Sequence, residues 1–313
     1  MIKSRFTKII VSLLLAFGVV AGAAADDIYI PVIAKGFQHQ FWQSVKAGSE
    51  QAARDYKVRI SFEAPETETM IDKQIDILSA ALGKKPNAIC FAALDSQAAL
   101  PLLKKAQAAR TVVVAFDSGV DSDIPVTTAA TDNQAASALA ADKMAELIGR
   151  EGEVAMVAYD QTSRNSIDRR DGFVERIKTK HPKIKIVTIQ YGDGDHLKST
   201  EITKSILQAY PRLKGIFGTN EGSAIGVLNG VREMKRQLVV IGYDSGKQLK
   251  DAIRAGTIAG AITQNPFGIG YKAVEAAVKT IQGEKLPKTI DTGFYWYDKN
   301  NIDDPQISAT LYD

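Results

Sequence analysis

Short apolar runs alternate with longer segments of helical periodicity along almost the whole chain. The short runs are rich in Val and Ile and are apolar at successive positions, which is typical of strands buried on both faces of a sheet. Nine runs are expected to be strands: 28–34, 58–62, 88–91, 112–116, 153–158, 184–190, 215–218, 239–243 and 258–262. Eight segments between them are expected to be helices: 41–56, 69–82, 97–109, 134–148, 166–180, 199–210, 223–234 and 269–282. This alternation predicts βαβ units, and therefore an α/β fold in which helices cover both faces of parallel sheets.

One block of sequence occurs twice. Residues 112–119 read VVVAFDSG, and residues 239–246, which lie 127 positions later, read VVIGYDSG. The repeat predicts two similarly built lobes, each a doubly wound parallel sheet, and it puts Asp117 and Asp244 just after the carboxyl ends of core strands. Ligands of open α/β sheets bind outside those strand ends. We therefore predict a ligand cleft between the lobes, with one aspartate contributed by each lobe.

The positive charge of the chain comes from its first residues. There are 39 Lys and Arg residues against 36 Asp and Glu residues, a formal charge of +3. Lys3, Arg5 and Lys8 account for this excess. The remaining chain is neutral, so no basic surface is expected, and we predict no nucleic-acid partner.

Residues 1–25 have the pattern of a secretory signal peptide. A basic start is followed by the apolar run 9–20 and by small residues, with Ala23 and Ala25 as the cleavage pair. An uncleaved membrane anchor is the alternative, but the apolar run is short for a hydrocarbon core ~30 Å thick. We therefore expect cleavage after Ala25 and export of the mature chain to the periplasm.

Metal and thiol chemistry have little support in the sequence. Cys90 is the one cysteine and lies in an apolar run, so a buried small side chain is expected rather than a catalytic thiol. The three histidines, which have no metal-ligand spacing, are His39, His181 and His196. We predict no metal and no cofactor.

Two glycine-containing segments resemble nucleotide-binding motifs loosely. The segment 242–248, GYDSGKQ, is one residue short of a phosphate-binding loop and has Gln where that loop needs Ser or Thr. The segment 268–273, GIGYKA, matches the dinucleotide fingerprint, but it is better interpreted as glycines that let a helix start close to a sheet. The sequence also has no hydrolase or metalloprotease motif. We expect a binding protein rather than an enzyme.

Polar and aromatic side chains follow several of the expected strands. Carboxylates accept hydrogen bonds from hydroxyl groups, Arg and amides donate them, and aromatic faces cover the C–H side of a sugar ring. Each residue alone is also explained as a helix cap, a turn residue or a core aromatic. Their joint position at strand ends in both lobes predicts a site for a neutral polyhydroxyl ligand. The candidate residues are Phe41, Trp42, Asp117, Arg169, Asn220, Asp244 and Gln264.

In their order along the chain these motifs resemble those of the periplasmic sugar-binding proteins of ABC importers, of the ribose, galactose and xylose type. The aromatic pair, the strand-end Asp, Arg-x-x-Gly-Phe, the strand-end Asn, Gly-x-Asp and Gln-x-Pro stand at 41–42, 117, 169–173, 220, 242–244 and 264–266. The resemblance covers residues 27–290. It implies a monomeric receptor that hands its sugar to a membrane permease, and it allows a chemoreceptor as a further partner.

The resemblance also implies that three chain crossings form a hinge and that the lobes close on the ligand. The crossings are expected near 130–132, 264–266 and 289–292. The first lobe then comprises 27–130 and 265–290, and the second comprises 131–264 and 291–313.

Some positions depart from the ribose receptors as the resemblance aligns them. His39 stands where they carry Asn, Ser118 where they carry Arg, and Gly194 where they carry an aromatic residue. Lys35 resembles a lysine of the receptors for the furanose-like signal autoinducer-2, which share this fold. It either reaches the ligand or is a solvated strand end. Lys35, His39 and Ser118 therefore join the candidate ligand residues.

The leading hypothesis is a periplasmic receptor for a monosaccharide, a pentose or hexose, or a related polyol. The alternative is a receptor for a non-sugar signal such as autoinducer-2. A ligand-sensing transcription regulator has a similar two-lobe core, but it needs a DNA-binding head where this chain has its leader. A nucleotide-dependent enzyme is disfavoured because the phosphate loop is missing.

Overall fold

The computed structural model describes residues 28–313, and these form two six-stranded sheets. The expected signal peptide, residues 1–25, lies outside the described residues. Within 28–313 the strands are β1 (Tyr29–Ile33), β2 (Arg59–Glu63), β3 (Ala88–Phe91), β4 (Val112–Phe116), β5 (Thr128–Ala130), β6 (Gly152–Ala158), β7 (Ile184–Tyr191), β8 (Leu213–Gly218), β9 (Val239–Tyr243), β10 (Gly260–Gln264), β11 (Thr289–Asp291) and β12 (Phe294–Tyr297). The helices of this part of the chain are α1 (Gln40–Tyr56), α2 (Ile71–Gly83), α3 (Leu100–Ala108), α4 (Asn133–Leu147), α5 (Arg164–Lys180), α6 (His196–Ala209), α7 (Glu221–Glu233), α8 (Lys247–Arg254), α9 (Pro266–Ile281) and α10 (Pro305–Ser308).

The two sheets share one strand order. The first runs β11-β5-β4-β3-β1-β2, and all of its neighbours are parallel. The second runs β12-β10-β9-β8-β6-β7 and is parallel except at its edge, where β12 runs antiparallel to β10. The strands of the repeated block, β4 and β9, hold the same place in the two sheets. The predicted fold class, two doubly wound parallel α/β lobes, is therefore confirmed.

Each sheet is buried on both faces, as its apolar runs predict. In β1 and β4, Val32 and Val114 belong to one apolar cluster, whereas their neighbours Ile33 and Val113 belong to another. Successive side chains of a strand point to opposite faces. A strand covered by helices on both faces is therefore apolar at every position, and the alternation of polar and apolar residues disappears.

The chain passes between the two sheets three times: from β5 to β6, from β10 to β11, and from β11 to β12. After the first passage α4 packs on α5 and β9 of the second lobe, and after the second passage α9 packs on α1 and β4 of the first lobe. These contacts are consistent with lobe boundaries near 130 and 264, which stay a prediction.

The beginning of α9 packs very closely on α1. A Cβ atom on Gly270 would collide with the carbonyl oxygen of Val45, and one on Gly48 would collide with that of Phe267. Gly270 belongs to the segment 268–273, so a glycine of this segment does serve close packing of a helix start. The neighbour is helix α1, however, and not the sheet that the sequence suggested.

Five short elements were not expected from the sequence. The strands β5, β11 and β12 have only three or four residues, and α8 and α10 have eight and four. Such segments are too short for a period to be recognised. Because β12 pairs with β10, the aromatic segment 294–297 completes the second sheet.

Among residues 28–313 there is no helix that combines the length and apolarity needed to span a membrane. This part of the chain also has no cluster of three or more His, Cys, Asp or Glu side chains placed to hold a metal ion. Cys90 is fully buried, as predicted, and burial raises the pKa of its thiol. It is a core residue of the first lobe.

Candidate functional site

A small cavity lies between the lobes, where strands of both sheets end. The empty space there, counted together with the adjoining solvent, is about 280 Å³. Both lobes contribute to it because the residues that follow their core strands meet there. The lining residues are Lys35, His39, Phe41, Trp42, Glu68, Asp117, Tyr159, Asn165, Arg169, Asn220, Asp244 and Gln264.

Nine of the ten predicted ligand residues line this cavity: Lys35, His39, Phe41, Trp42, Asp117, Arg169, Asn220, Asp244 and Gln264. Ser118 does not. The backbone turns at Asp117, which takes Ser118 away from the strand end, and its side chain is fully buried. Its hydroxyl has no hydrogen-bond partner within residues 28–313. The expectation that Ser118 faces the ligand therefore does not agree with its position.

Three lining residues were missed by the sequence analysis. Tyr159 directly follows β6, so the strand-end rule applied to the other residues would have found it. Asn165 lies four positions before Arg169 on α5, so helical spacing puts both on one face. Glu68 lies in an irregular segment between β2 and α2, where no periodic pattern points to it.

The two strand-end aspartates have an unusual backbone conformation. Asp117 has φ 55° and Asp244 has φ 76°. This left-handed region is rare for residues other than Gly, and Asp tolerates it through its short polar side chain. The equivalent aspartates of the repeat thus share both position and backbone geometry.

The two carboxylates are held by different partners. The Asp244 carboxylate accepts hydrogen bonds from Gln264 Nε2 at 2.7 Å and from the Glu221 backbone N at 3.0 Å, both in its own lobe. The Asp117 carboxylate accepts one from Asn165 Nδ2 at 2.9 Å, which comes from the opposite lobe. Each aspartate is therefore fixed by an amide side chain, but only Asp117 is fixed across the cleft.

Burial shifts the acidity of both aspartates. It raises the pKa of Asp117 to about 6, although Lys35 and Arg169 act in the opposite direction. Burial also raises the pKa of Asp244, against the effects of Arg169 and of the hydrogen bond from Gln264. At neutral pH Asp117 is therefore mainly ionised and remains a strong acceptor, but mild acid is enough to protonate it.

Arg169 is fixed in the wall of the cavity. Its Nε donates to Asn133 Oδ1 at 2.7 Å, and its Nη1 donates to the Thr219 carbonyl oxygen at 2.9 Å. The guanidinium lies 3.8 Å from the centre of the Tyr243 ring, and the side chain is 2% exposed. Such a held guanidinium is a preorganised donor, because little side-chain freedom remains to be lost on binding.

Lys35 is buried in the cavity wall and is only 1% exposed. Its Nζ lies 3.4 Å from Asn165 Oδ1, 3.9 Å from carboxylate oxygens of Glu68 and Asp160, and 4.8 Å from the centre of the Tyr159 ring. The interpretation of Lys35 as a solvated strand end is therefore wrong. All of these contacts are long, so the ammonium keeps capacity to donate a further hydrogen bond.

Glu68 supplies a further carboxylate. Its Oε1 accepts a 2.6 Å hydrogen bond from Trp42 Nε1. Burial alone would raise its pKa, but Lys35, His39 and the bond from Trp42 hold the pKa below its usual value. Glu68 is therefore ionised at neutral pH beside the Lys35 ammonium.

The aromatic pair is both core and cavity wall. Phe41 and Trp42 are 5% and 2% exposed and meet edge to face, with ring centroids 5.0 Å apart. Trp42 also meets Phe116 edge to face, and Phe41 meets Tyr312 in the same way. The two interpretations of these aromatics, core packing and ligand contact, are thus compatible.

Asn220 and Gln264 each have one half of the amide committed to the protein. Asn220 caps α7, since its Oδ1 accepts from Ser223 N at 2.9 Å. Gln264 Nε2 donates to Asp244, whereas its buried Oε1 has no hydrogen-bond partner within residues 28–313. The cap explanation for Asn220 is therefore right, and its position in the cavity wall is an additional property.

An imidazole pair joins the lobes beside the cavity. His39 of the first lobe and His196 of the second stack with ring centroids 6.2 Å apart. Burial and the proximity of His39 lower the pKa of His196.

Gly194 lies directly behind two lining residues. A Cβ atom on Gly194 would lie 3.4 Å from His39 Nε2 and 3.0 Å from Asn220 Nδ2.

The lobes are in direct contact around the cavity. Ser96 N donates to the Thr162 carbonyl oxygen at 3.1 Å, and Thr162 Oγ1 donates to that of Leu94 at 3.4 Å. On another side, Lys247 N donates to Gln40 Oε1 at 3.2 Å. This is a closed conformation, in which a small polar molecule would be surrounded by donors, acceptors and aromatic faces.

Two similar α/β lobes, joined by three crossings and closed over a polar cavity, define the class of two-lobe ligand-binding proteins. The family described as periplasmic binding protein domain matches residues 30–285. The chain belongs to this family.

Known proteins similar to this chain are sugar-binding components of transporters. The ribose import binding protein of Bacillus subtilis is 26% identical over 80% of each chain, and the D-allose-binding periplasmic protein of Escherichia coli is 27% identical over 90% of this chain and 92% of its own. A solute-binding protein of Agrobacterium vitis, solved with bound D-fucose, is 35% identical with a TM-score of 0.87 and covers 91% of this chain and 100% of its own. The resemblance to periplasmic sugar-binding proteins of ABC importers is confirmed, and these relatives are transport proteins rather than enzymes.

Proposed function

We propose that this chain is the periplasmic receptor of an ABC importer, which captures a monosaccharide, a pentose or hexose, or a related polyol. The cavity carries this proposal. It is small, it is closed between two lobes, and it offers acceptors and donors together with an aromatic pair. The receptor then delivers the sugar to a membrane permease.

Hydroxyl groups of the ligand would meet acceptors on several sides. Asp117 has one carboxylate oxygen beside the bond from Asn165, and Gln264 Oε1 is a buried acceptor that needs a donor. On the donor side are the Nη2 amino group of Arg169, the Lys35 ammonium and the amide of Asn220. A wrong epimer would leave one of these buried groups unpaired, at a cost of roughly 1–3 kcal/mol each. Such a site discriminates between sugars.

The charges of the cavity favour a neutral ligand. The two cations, Lys35 and Arg169, are accompanied by three carboxylates, those of Glu68, Asp117 and Asp244. A sugar acid or an amino sugar would lose the hydration of its charge in this enclosed space and would meet like charges as well as opposite ones. Either would lose more by burial than a neutral polyol does.

Capture would follow a shift between open and closed forms. Lining residues come from both lobes, so a ligand contacts all of them only when the lobes are closed. A ligand shifts an equilibrium by its difference in affinity for the two forms. The closed, loaded form is then the species that a permease recognises.

The position of Lys35 favours a second candidate ligand. A buried ammonium with only long contacts is suited to a compact, oxygen-rich molecule that presents acceptors. Autoinducer-2, the non-sugar signal, has that chemistry. It therefore belongs in the binding experiment beside the sugars.

Thermal unfolding of residues 26–313 against a ligand panel tests the proposal. The panel holds pentoses, hexoses, sugar alcohols, a uronic acid, an amino sugar and autoinducer-2. A ligand that binds only the folded protein adds about 2.7 kcal/mol of stability at a hundredfold excess over its Kd. We expect a selective increase in Tm with one neutral sugar or polyol. An increase with autoinducer-2 alone would support the second candidate, and no increase at all would contradict both.

Asp117→Asn then tests the site. Asn tolerates the left-handed backbone and has the same shape, so the fold should be kept while the charged acceptor is lost. We expect weaker sugar binding by a factor of about 10 or more, with Tm of the free protein little changed. Asp123→Asn, at an exposed position nearby, is the matched control and should bind like the wild type. Full affinity in Asp117→Asn would remove Asp117 from the site.

A further inference from the structure

Asn165 connects the two lobes inside the cavity. It lies in the first turn of α5, is 3% exposed, and uses its whole amide. Its Nδ2 donates to Asp117 Oδ2 at 2.9 Å, and its Oδ1 accepts from Tyr159 OH at 2.6 Å and from Lys35 Nζ at 3.4 Å. Tyr159 belongs to the same lobe as Asn165, whereas Asp117 and Lys35 belong to the other.

The chemistry of the neighbours fixes which way this amide points. Lys35 is a donor only, so it must face the amide oxygen of Asn165. The Asp117 carboxylate, when ionised, is an acceptor only, so it must face the amide nitrogen. No other orientation satisfies both groups. The bond from Nδ2 to Asp117 therefore follows from the placement of the three residues.

The equivalent aspartate of the repeat is held differently. The Asp244 carboxylate takes its two hydrogen bonds from Gln264 and from the Glu221 backbone, so it keeps its orientation whether the lobes are open or closed. Within residues 28–313 the Asp117 carboxylate has one hydrogen bond, and that bond comes from Asn165 across the cleft. Opening of the lobes removes it.

We infer that Asn165 is a positioning residue that orients the Asp117 carboxylate only when the lobes close. This inference rests on the proposed function. In the closed form Asn165 takes one acceptor site of Oδ2 and fixes the rotation of the carboxylate, so Asp117 presents Oδ1 to the ligand in one orientation. The sugar is thereby selected for a hydroxyl placed to reach that oxygen. When the lobes open, the hydrogen bond from Asn165 is lost, so recognition by Asp117 is completed by closure itself.

A double-mutant cycle tests this inference with the sugar that stabilises the wild type. The variants are Asn165→Ala, Asp117→Gly and the two together, and the measured quantity is Kd by calorimetry or thermal titration. Glycine is chosen at 117 because it relaxes the left-handed backbone. We expect each single variant to bind at least about tenfold more weakly. The double variant should bind no more than about threefold more weakly than Asp117→Gly alone, because Asn165 acts through Asp117.

Gln40→Ala is the matched control. Gln40 also makes a hydrogen bond across the lobes, to Lys247 N, but it does not line the cavity. Its loss should weaken binding less than about threefold, and by the same factor with and without Asp117→Gly. Tyr159→Phe removes the other anchor of the amide and leaves the bond to Asp117, so its effect should lie between those of Gln40→Ala and Asn165→Ala.

The outcomes distinguish failure of the positioning role from failure of the proposed function. If the wild type binds sugar and the effects of Asn165→Ala and Asp117→Gly are additive, Asn165 contributes to closure in general and its positioning role is overturned. Wild-type affinity in Asn165→Ala would overturn it as well. If the wild type binds no sugar of the panel, the proposed function fails and this inference fails with it. The Tm of each free variant shows whether loss of folding is responsible.

Discussion

At the scale of single residues, the cavity combines groups that water would otherwise solvate. Asp117 and Asp244 are buried carboxylates, Glu68 is a largely buried one, and Lys35 and Arg169 are buried cations. Buried charges are costly unless they are paired and hydrogen-bonded. Here the pairing is incomplete, because Lys35 has only long contacts and Gln264 Oε1 has no partner within the described residues. A ligand with several hydroxyl groups would supply the missing hydrogen-bond partners. Its binding would then offset part of the cost of burying these groups.

Sugar affinity should depend on pH through Asp117. A ligand hydroxyl donates to the ionised carboxylate, whose pKa is raised to about 6. The carboxylate is mainly ionised at pH 7, and affinity falls as pH drops through about 6, so Kd at pH 5 should be about tenfold higher than at pH 7. The raised pKa of Asp244 acts in the same direction. Titration of Kd from pH 5 to 8 checks this.

The control for this pH dependence is Asp117→Asn, which has no carboxyl to titrate at 117. Its affinity is lower throughout, but it should change less between pH 7 and pH 5 than that of the wild type. An identical pH profile in the variant would mean that another group controls binding. Asp244 and Glu221, both with pKa values raised mainly by burial, would then be the groups to examine.

At the scale of elements, the loops after the strands set the shape of the cavity. Gly194, between β7 and α6, has φ 65°, and its Cα stands close to Asn220 and His39. Gly194→Ala adds backbone strain of about 1 kcal/mol and a Cβ atom that presses on both neighbours. We expect a loss of unfolding free energy of that size together with weaker sugar binding, measured by urea unfolding and calorimetry.

Gly256 offers a matched control for this loop. It has φ 70°, and a Cβ atom there would meet nothing within 4 Å. Gly256→Ala should therefore lose a similar free energy of unfolding with sugar affinity unchanged. If Gly194→Ala binds sugar as tightly as Gly256→Ala, the wall behind Asn220 is not part of the recognition surface.

The contact between α1 and α9 is a second property of elements. A Cβ atom on Gly270 would collide with the Val45 carbonyl oxygen, so Gly270→Ala forces the helices apart. We expect a loss of about 1–3 kcal/mol in the free energy of unfolding, as for other overpacked cores. Gly83→Ala, at the end of α2 with open space around it, should stay within about 1 kcal/mol of the wild type. Equal stability of both variants would contradict the close packing.

Much of this architecture could be predicted because its elements are long and regular. All nine expected strands and eight expected helices exist, since a buried parallel strand is apolar throughout and a helix of nine or more residues shows its period. The short strands β5, β11 and β12 could not be predicted, because pairing with a neighbour defines them rather than composition.

The same reasoning explains what was found and missed in the cavity. Asp117 and Asp244 were predictable because the repeat marks the ends of their strands. Glu68 was not, because it reaches the cavity from an irregular segment through its bond with Trp42. Ser118 was assigned by alignment with other proteins, and such an alignment does not show that the backbone turns at the preceding residue.

At the scale of the whole molecule, the end of the chain bridges the lobes. The ring of Tyr312 belongs to the apolar core of the first lobe and meets Phe41 edge to face. Its hydroxyl donates to Glu221 Oε2 at 2.9 Å and accepts from Ser245 N at 3.3 Å, both in the second lobe. The penultimate residue thus joins a cavity-lining aromatic to the helix start that holds Asp244.

Removal of Tyr312 should therefore weaken closure. Deletion of residues 312–313 removes a buried aromatic ring that packs on the first lobe, worth about 1.5–3 kcal/mol of apolar burial, together with its two hydrogen bonds to the second lobe. The loss affects the closed form more than the open form, because the ring touches both lobes only when they are closed. We expect sugar binding about tenfold weaker or more, mainly through faster release. Small-angle scattering with saturating sugar should still show the compact form.

Asp313→Ala is the control, since it removes only the surface ion pair with Lys250 and should bind like the wild type. If the deletion and Asp313→Ala bind sugar equally well, the end of the chain merely covers the second lobe and has no part in closure.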